Sequence, residues 1–267
     1  MRRVLSIQDL SCMGKCSLTV ALPVLSAMGC SCTVLPTAVL STHTAFPEPH
    51  IQALTEDILP MAEHWHRVGG NFETISIGYL ADPEQAAKVE KVLDLFSGKV
   101  VLDPAMGDHG KLYSKLTPEH IHAMAKLCRR ADYVLPNITE AALLTGLPYR
   151  EQVDIAYLRE LAAGMQKLGS KTVVITGFLW EDGQAGFFCA TENEEFSYHA
   201  PRIPKHFHGT GDLFAAVFAG GLALGKEASQ AAELAARFVE QVISHTPEVT
   251  PYGIEFETQL PWLWQNM

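Results

Sequence analysis

His206-Phe-His-Gly-Thr-Gly-Asp212, followed by Leu213-Phe-Ala-Ala-Val-Phe-Ala-Gly-Gly221, is the stretch on which the reading of this 267-residue chain turns. Gly209 and Gly211 bracket Thr210 at the point where a loop should become a helix. The first backbone N–H groups of a helix have no intrahelical partner, and the macrodipole favours negative charge there. Asp212 falls in the expected first turn, its carboxylate facing whatever those amides hold. An amide cradle beside a carboxylate suits phosphoryl transfer to a hydroxyl. The amides stabilise the transferred oxygens and the carboxylate accepts the alcohol's proton. The same four residues could also do no more than cap a core helix, since Asp is a favourable N-terminal residue. Gly209, Thr210, Gly211 and Asp212 are therefore candidate catalytic residues.

Outward from this stretch, short β-branched runs alternate with amphipathic segments. Val4–Ile7, Thr33–Leu35, Thr74–Ile77, Val100–Leu102, Tyr133–Leu135 and Val173–Ile175 read as strands. Lys15–Met28, stopped by Gly29, reads as a helix, and so does Pro83–Phe96, with Pro in its first turn. Further helices are expected from Thr117-Pro118 to about Cys128, near Glu140–Leu144, over Ile155–Leu168, after Asp212, and from Ser229 to about His245. Ala185–Ala200 breaks the rhythm and reads as an antiparallel hairpin. The βαβα order predicts an α/β fold with a mainly parallel sheet covered by helices on both faces. With no repeat, linker or composition shift, residues 1–267 read as a single domain.

Composition narrows the function classes. Hydrophobic residues make up 48% and charged residues 19% of the chain, ordinary for a packed domain. The net charge of −10 argues against nucleic acid or an anionic membrane as partner, though a local amide nest can still hold an anionic nucleotide. No stretch offers eighteen uninterrupted apolar residues, and Asp9 interrupts any signal-like start, so the expected location is cytoplasmic. The six cysteines suit a reducing compartment better than a disulfide framework. Cys12, Cys16, Cys30 and Cys32 lack zinc-site spacing and read as ordinary thiols.

In open parallel sheets, ligands gather at the carboxyl ends of strands. Those ends carry Ser6 and Gln8, then Gly78-Tyr79, Asp103-Pro-Ala-Met-Gly-Asp108, Pro136-Asn137-Ile-Thr-Glu140, and Thr176-Gly177. Singly, Asp103 could cap its loop and Asn137 could be a helix N-cap. Jointly, they place carboxylates at Asp103, Asp108 and Glu140 along one sheet edge. There they could hold Mg²⁺ directly or through water.

Asn137-x-x-Glu140 and Gly209-Thr-Gly-Asp212 resemble the paired signatures of the ribokinase-like superfamily, both at matching spacing. The resemblance implies a three-layer α/β/α fold, an Asn-x-x-Glu segment that organises Mg²⁺ and its waters, and a glycine-rich anion hole with Asp212 as base. Within that superfamily the chain is most similar to the vitamin B6 kinases. Leu5-Ser-Ile-Gln8, Ser41-Thr-His-Thr44, Gly78-Tyr-Leu80 and Asp103-Pro-Ala-Met-Gly-Asp108 resemble their segments. This implies that Ser6, Gln8, His43, Thr44 and Tyr79 bind the pyridine substrate. It also implies that Asp103, Asn137, Thr176, Gly209 and Gly211 serve the nucleotide, and that Asp103, Asp108 and Glu140 serve the metal.

The activity implied is ATP-dependent phosphorylation of the 5′-hydroxyl of pyridoxal, pyridoxamine or pyridoxine. Mg²⁺ is implied as cofactor, a monovalent cation such as K⁺ as a further candidate, and a homodimer as the assembly. The chain departs from the larger pyridoxal kinase group after Gln8, where Asp9-Leu-Ser-Cys-Met-Gly replaces Ser-His-Val-x-x-Gly. His206 and His208 stand where small or apolar residues are usual and read as surface or structural residues. Cys12 stays outside the catalytic set, since only Lys15 nearby would favour its thiolate. Two other functions stay open. One is a hydroxymethylpyrimidine kinase of thiamine synthesis, a group that usually carries Cys where this chain has Asp212. The other is a non-catalytic protein that binds B6 vitamers or nucleotide.

Overall fold

The structure, a computed structural model, describes every residue except Ser114 and His206, so the reading of His206 lies outside the described residues. The chain opens with β1 (Arg3–Met13), α1 (Leu18–Ala27), β2 (Ser31–Thr42), β3 (Ile51–Ala53) and α2 (Ile58–Arg67). Next come β4 (Thr74–Ile77), α3 (Pro83–Leu95), β5 (Lys99–Leu102) and a two-strand ribbon of β6 (Gly107–Asp108) and β7 (Lys111–Leu112). The middle holds α4 (Pro118–Cys128), β8 (Tyr133–Val134), α5 (Ile138–Thr145), β9 (Gln152–Val153) and α6 (Ile155–Lys167). It closes with β10 (Thr172–Trp180), β11 (Ala185–Ala190), β12 (Glu195–Ala200), α7 (Thr210–Ala223), α8 (Ala228–His245) and α9 (Leu260–Asn266). No helix among the described residues is long and apolar enough to cross a membrane.

Among the described residues ten strands form the main sheet, in the order β12-β11-β10-β8-β5-β4-β1-β2-β3, with β9 beside β10. The centre is parallel, and antiparallel pairing is confined to β3 and to the β10–β12 meander. Apolar residues sort by the two-residue period of the strands. Leu5, Ile7, Ile75, Ile77 and Leu102 face one core, beneath α2 to α6. Val4, Val101 and Val174 face the other, with α1, α7 and α8. This is the expected three-layer sandwich.

The strand order reverses at β1, which has β2 on one side and β4 on the other. Such a switch point opens a crevice at the carboxyl ends of the strands. Two local features widen it. β4 stops at Ile77, opposite Ile7, so the rest of β1 runs on without that neighbour. Pro36, which has no N–H to donate, lies opposite Gln8, and the register slips just beyond it. Thr37 and Ala38 of β2 consequently stand opposite the single residue Asp9.

Candidate active site

Gly209 is the N-cap of α7, with φ at +88°, and Thr210, Gly211 and Asp212 form the first turn. The left-handed conformation suits glycine, and a Cβ at Gly209 would collide with the Lys15 carbonyl oxygen. Gly211 is different, because no heavy atom lies within 4 Å of where its Cβ would stand. The amide end of α7 therefore opens into free space. That space is a cleft of about 610 Å³ lined by Asp103, Asp108, Asn137, Glu140, Thr176 and the Gly209–Asp212 turn, among others. The catalytic and nucleotide candidates thus share one cavity. Tyr113 joins them and was not singled out from sequence. Its phenol lies among the charges of Glu140, Asp108, Asp103 and Asp212, in a loop with no motif of its own.

Asp212 accepts the Ser17 amide and its own N–H. Burial, then the charges of Asp103 and Asp9, push its carboxyl up to about 7. A carboxyl raised toward neutrality is a better proton acceptor than an ordinary one. Ser17 itself sits at φ +51°, and Ala105 and His109 in the loop after β5 are also at positive φ. Non-glycine residues held there cluster at functional sites.

The Asn137-x-x-Glu140 motif is a capping box at the start of α5. The Asn137 side chain accepts the Glu140 amide at 2.9 Å, and Glu140 Oε2 accepts the Asn137 amide at 2.9 Å. Glu140 Oε1 takes the Met106 amide at 2.9 Å, and Asn137 Nδ2 donates to the Gly107 carbonyl at 2.8 Å. The structural reading of the motif is therefore realised, and the box also fixes the Asp103–Asp108 loop. Burial and the Asp103 charge raise the Glu140 carboxyl well above its usual range, and burial raises Asp103. Asp108 is half-exposed and accepts the His109 amide.

Among the described residues, no three His, Cys, Asp or Glu side chains stand in position to share a metal ion. Of the two metal arrangements open from sequence, direct ligation finds little room at Glu140. Both Glu140 oxygens are spent on amides. Water-mediated contact fits, because the amides of Asn137, Met106 and Gly107 leave Glu140 one lone pair for a water, and the buried carboxylates repel one another without a cation.

The acceptor candidates lie outside that cleft. Ser6 is fully buried, and its hydroxyl accepts Gln8 Nε2 at 2.8 Å. Gln8 in turn packs against Gly78, where a Cβ would come within 2.5 Å of Oε1. Ser6 thus accepts from Gln8 and keeps its own O–H to donate. The His43 Nδ1 accepts the Ala45 amide at 3.3 Å, leaving Nε2 to donate to the Pro251 carbonyl at 2.8 Å. His43 ties three loops together and packs against Phe46 and His208. Thr44 and Tyr79 are half-buried, and Tyr79 is held through its carbonyl by Thr37 Oγ1 at 2.9 Å.

Asp9 joins the two sides. It is 3% exposed, and its charge is felt at Asp212, Tyr79 and Cys16. The sequence places the strand end at Ile7, before Asp9, whereas the strand runs on to Met13 and carries Asp9 within it. Cys12 is exposed. Cys16 is enclosed, and burial with the Asp212 and Asp9 charges holds its thiol protonated.

The comparisons bear on the family and the fold. A family model described as phosphomethylpyrimidine kinase matches residues 21–255. The pyridoxine/pyridoxal/pyridoxamine kinase of Bordetella bronchiseptica is 29% identical over 262 residues, 92% of this chain and 89% of its own length. The pyridoxal kinase structure from Lactobacillus plantarum superposes with a TM-score of 0.91 at 32% identity, covering 99% of this chain and 97% of that one. A Bacteroides thetaiotaomicron structure of the phosphomethylpyrimidine kinase type, solved with pyridoxal, gives 0.94 at 31% identity, covering 100% and 96%. The chain belongs to the phosphomethylpyrimidine kinase family and, within the ribokinase-like superfamily, to the vitamin B6 kinases.

Proposed function

We propose that the chain transfers the γ-phosphoryl group of ATP to the 5′-hydroxyl of a vitamin B6 vitamer. The observation that carries this is the α7 turn, where the open Gly211 amide and the raised carboxyl of Asp212 meet one cavity. ATP would lie in the large cleft, its base against Ile203, Val239 and Ile243 and its phosphates on the amides of the Gly209–Asp212 turn. Asn137 and Thr176 border the phosphates. The vitamer would enter from the β1–β4 side, between Tyr79 and Thr44, bringing its hydroxyl to Asp212. Asp212 then takes the hydroxyl proton as the oxygen attacks phosphorus.

Asp103, Asp108 and Glu140 would hold Mg²⁺ through its waters, since that ion dehydrates reluctantly. When bound, it supplies charge neutralisation on the phosphates. Glu140→Gln is expected to raise the Mg²⁺ concentration for half-maximal rate and to lower kcat. An unchanged Mg²⁺ titration would leave Glu140 as a capping residue only.

A coupled assay of ADP release with pyridoxal, pyridoxamine, pyridoxine and hydroxymethylpyrimidine tests the reading. Turnover of at least one vitamer above hydroxymethylpyrimidine is expected. The reverse order would make this a thiamine-pathway kinase, and no turnover of any of the four would favour the binding-protein reading. Asp212, standing where hydroxymethylpyrimidine kinases usually carry Cys, supports the vitamer.

A further inference from the structure

Asp9 stands in a position that the roles assigned above do not use. It lies at the register slip between β1 and β2, where Pro36 has broken the ladder, on the acceptor side of Asp212. Its carboxylate is almost wholly enclosed, yet it is met only by neutral donors, two serine hydroxyls and its own N–H. Ser11 Oγ donates to Oδ2 at 2.9 Å, and Ser17 supplies a second side-chain bond. Among the described residues no Lys or Arg forms an ion pair with it, and Lys15, six residues on, is committed to Glu257 at 2.8 Å. The basic ring in range, His43, spends both nitrogens on backbone partners. Two further carboxylates, Asp212 and Asp103, add negative charge on the same side of the sheet edge. A buried carboxylate in such surroundings is costly unless a cation completes it.

We propose that Asp9 is the counter-ion of the acceptor, pairing with a positively charged nitrogen of the vitamer so that the substrate is bound as a cation. The proposal rests on the vitamer reading given above. Its neighbours support the placement: Tyr79, the expected ring wall, and Asp212, the base, both feel the Asp9 charge. Burial raises the Asp9 carboxyl, and the two serine hydroxyls pull it back toward ionisation. A cation arriving beside it would complete that pull. Two nitrogens could supply the charge. One is the protonated ring nitrogen, common to all vitamers. The other is the ammonium group of pyridoxamine, on the ring carbon next to the one that bears the reacting hydroxymethyl group.

Steady-state kinetics of Asp9→Asn and Asp9→Ser with each vitamer and with ATP test this. Losing a charge-assisted hydrogen bond should raise KM for the vitamer roughly ten- to a hundredfold, with KM for ATP little moved. A rise for all three vitamers identifies the ring nitrogen, and a rise for pyridoxamine alone identifies the ammonium. Unchanged vitamer KM values would overturn the proposal. So would a fall in kcat at constant KM, which would make Asp9 a support for Ser17 and Asp212.

Should both variants fail to fold, the wild type decides. Pyridoxamine, pyridoxine and the benzene counterpart of pyridoxine, which lacks the ring nitrogen, are compared as competitive ligands, and equal affinities would refute an ion pair. If the wild type phosphorylates hydroxymethylpyrimidine and no vitamer, the functional reading fails and this proposal with it. If vitamers are turned over and Asp9 proves indifferent, only this proposal fails.

Discussion

Asp212→Asn is expected to lower kcat by roughly 10²–10⁴-fold while leaving KM for the vitamer and for ATP within a few-fold of wild type. Asparagine keeps the shape of the side chain and can still meet the Ser17 amide, but it cannot take a proton. Since burial and two neighbouring carboxylates raise Asp212 to about 7, wild-type kcat/KM should fall as pH drops through that region. The sign follows from the role: the base works deprotonated, so activity is present above its pKa and lost below it. A cation brought in with the nucleotide stabilises the carboxylate, so the acid limb of kcat should lie at lower pH than that of kcat/KM. Asp212→Asn should flatten this limb. Retention of more than about a tenth of wild-type kcat, against a base contribution of that size, would remove Asp212 from the chemistry.

Strands and helices with clean periodicity were legible from sequence. Thr74–Ile77 and Pro118–Cys128 sit where their patterns put them, because capping and alternation there agree with the packing. The run at Thr33–Leu35 extends much further, over Ser31–Thr42. Pro36 reads as a terminator, but here its missing N–H is absorbed by the register slip, and the strand continues. Ile58–Arg67 is a helix that the sequence reading does not include; its Pro60 falls in the first turn, where proline is tolerated.

The same distinction explains the site. Motif residues converge because each follows a strand end, and topology brings those ends together. Asn137 and Glu140 could be placed in advance, but their mutual capping hydrogen bonds could not be told from metal chemistry by spacing alone. Ser6 and Gln8 share one face by the two-residue period, and the bond between them depends on side-chain packing that the letters do not carry. Asp9, one residue on, faces the other way by the same period, and what singles it out is the register slip beside Pro36, a neighbour in space and not in sequence. Such a residue becomes readable only once the strand register is known.

Gly209 and Gly211 should respond to alanine in opposite ways. Gly209 is left-handed and abuts the Lys15 carbonyl, so Gly209→Ala carries a backbone cost of about 1–2 kcal/mol before that overlap is counted. In a chain of this size the Tm should fall by roughly 4 °C or more once the overlap is included, with activity lost alongside. Gly211 is a helical residue with open space around its Cα, and alanine is the better helix former. Its Tm should therefore hold or rise slightly. The methyl group would nevertheless stand where the transferred phosphoryl must approach the helix amides, and a misplacement of about 1 Å costs on the order of a hundredfold in rate. A normal melting curve joined to a kcat loss of that order is the expected signature of Gly211→Ala. Full activity in that variant would mean that the phosphoryl group passes elsewhere, whatever Asp212 does.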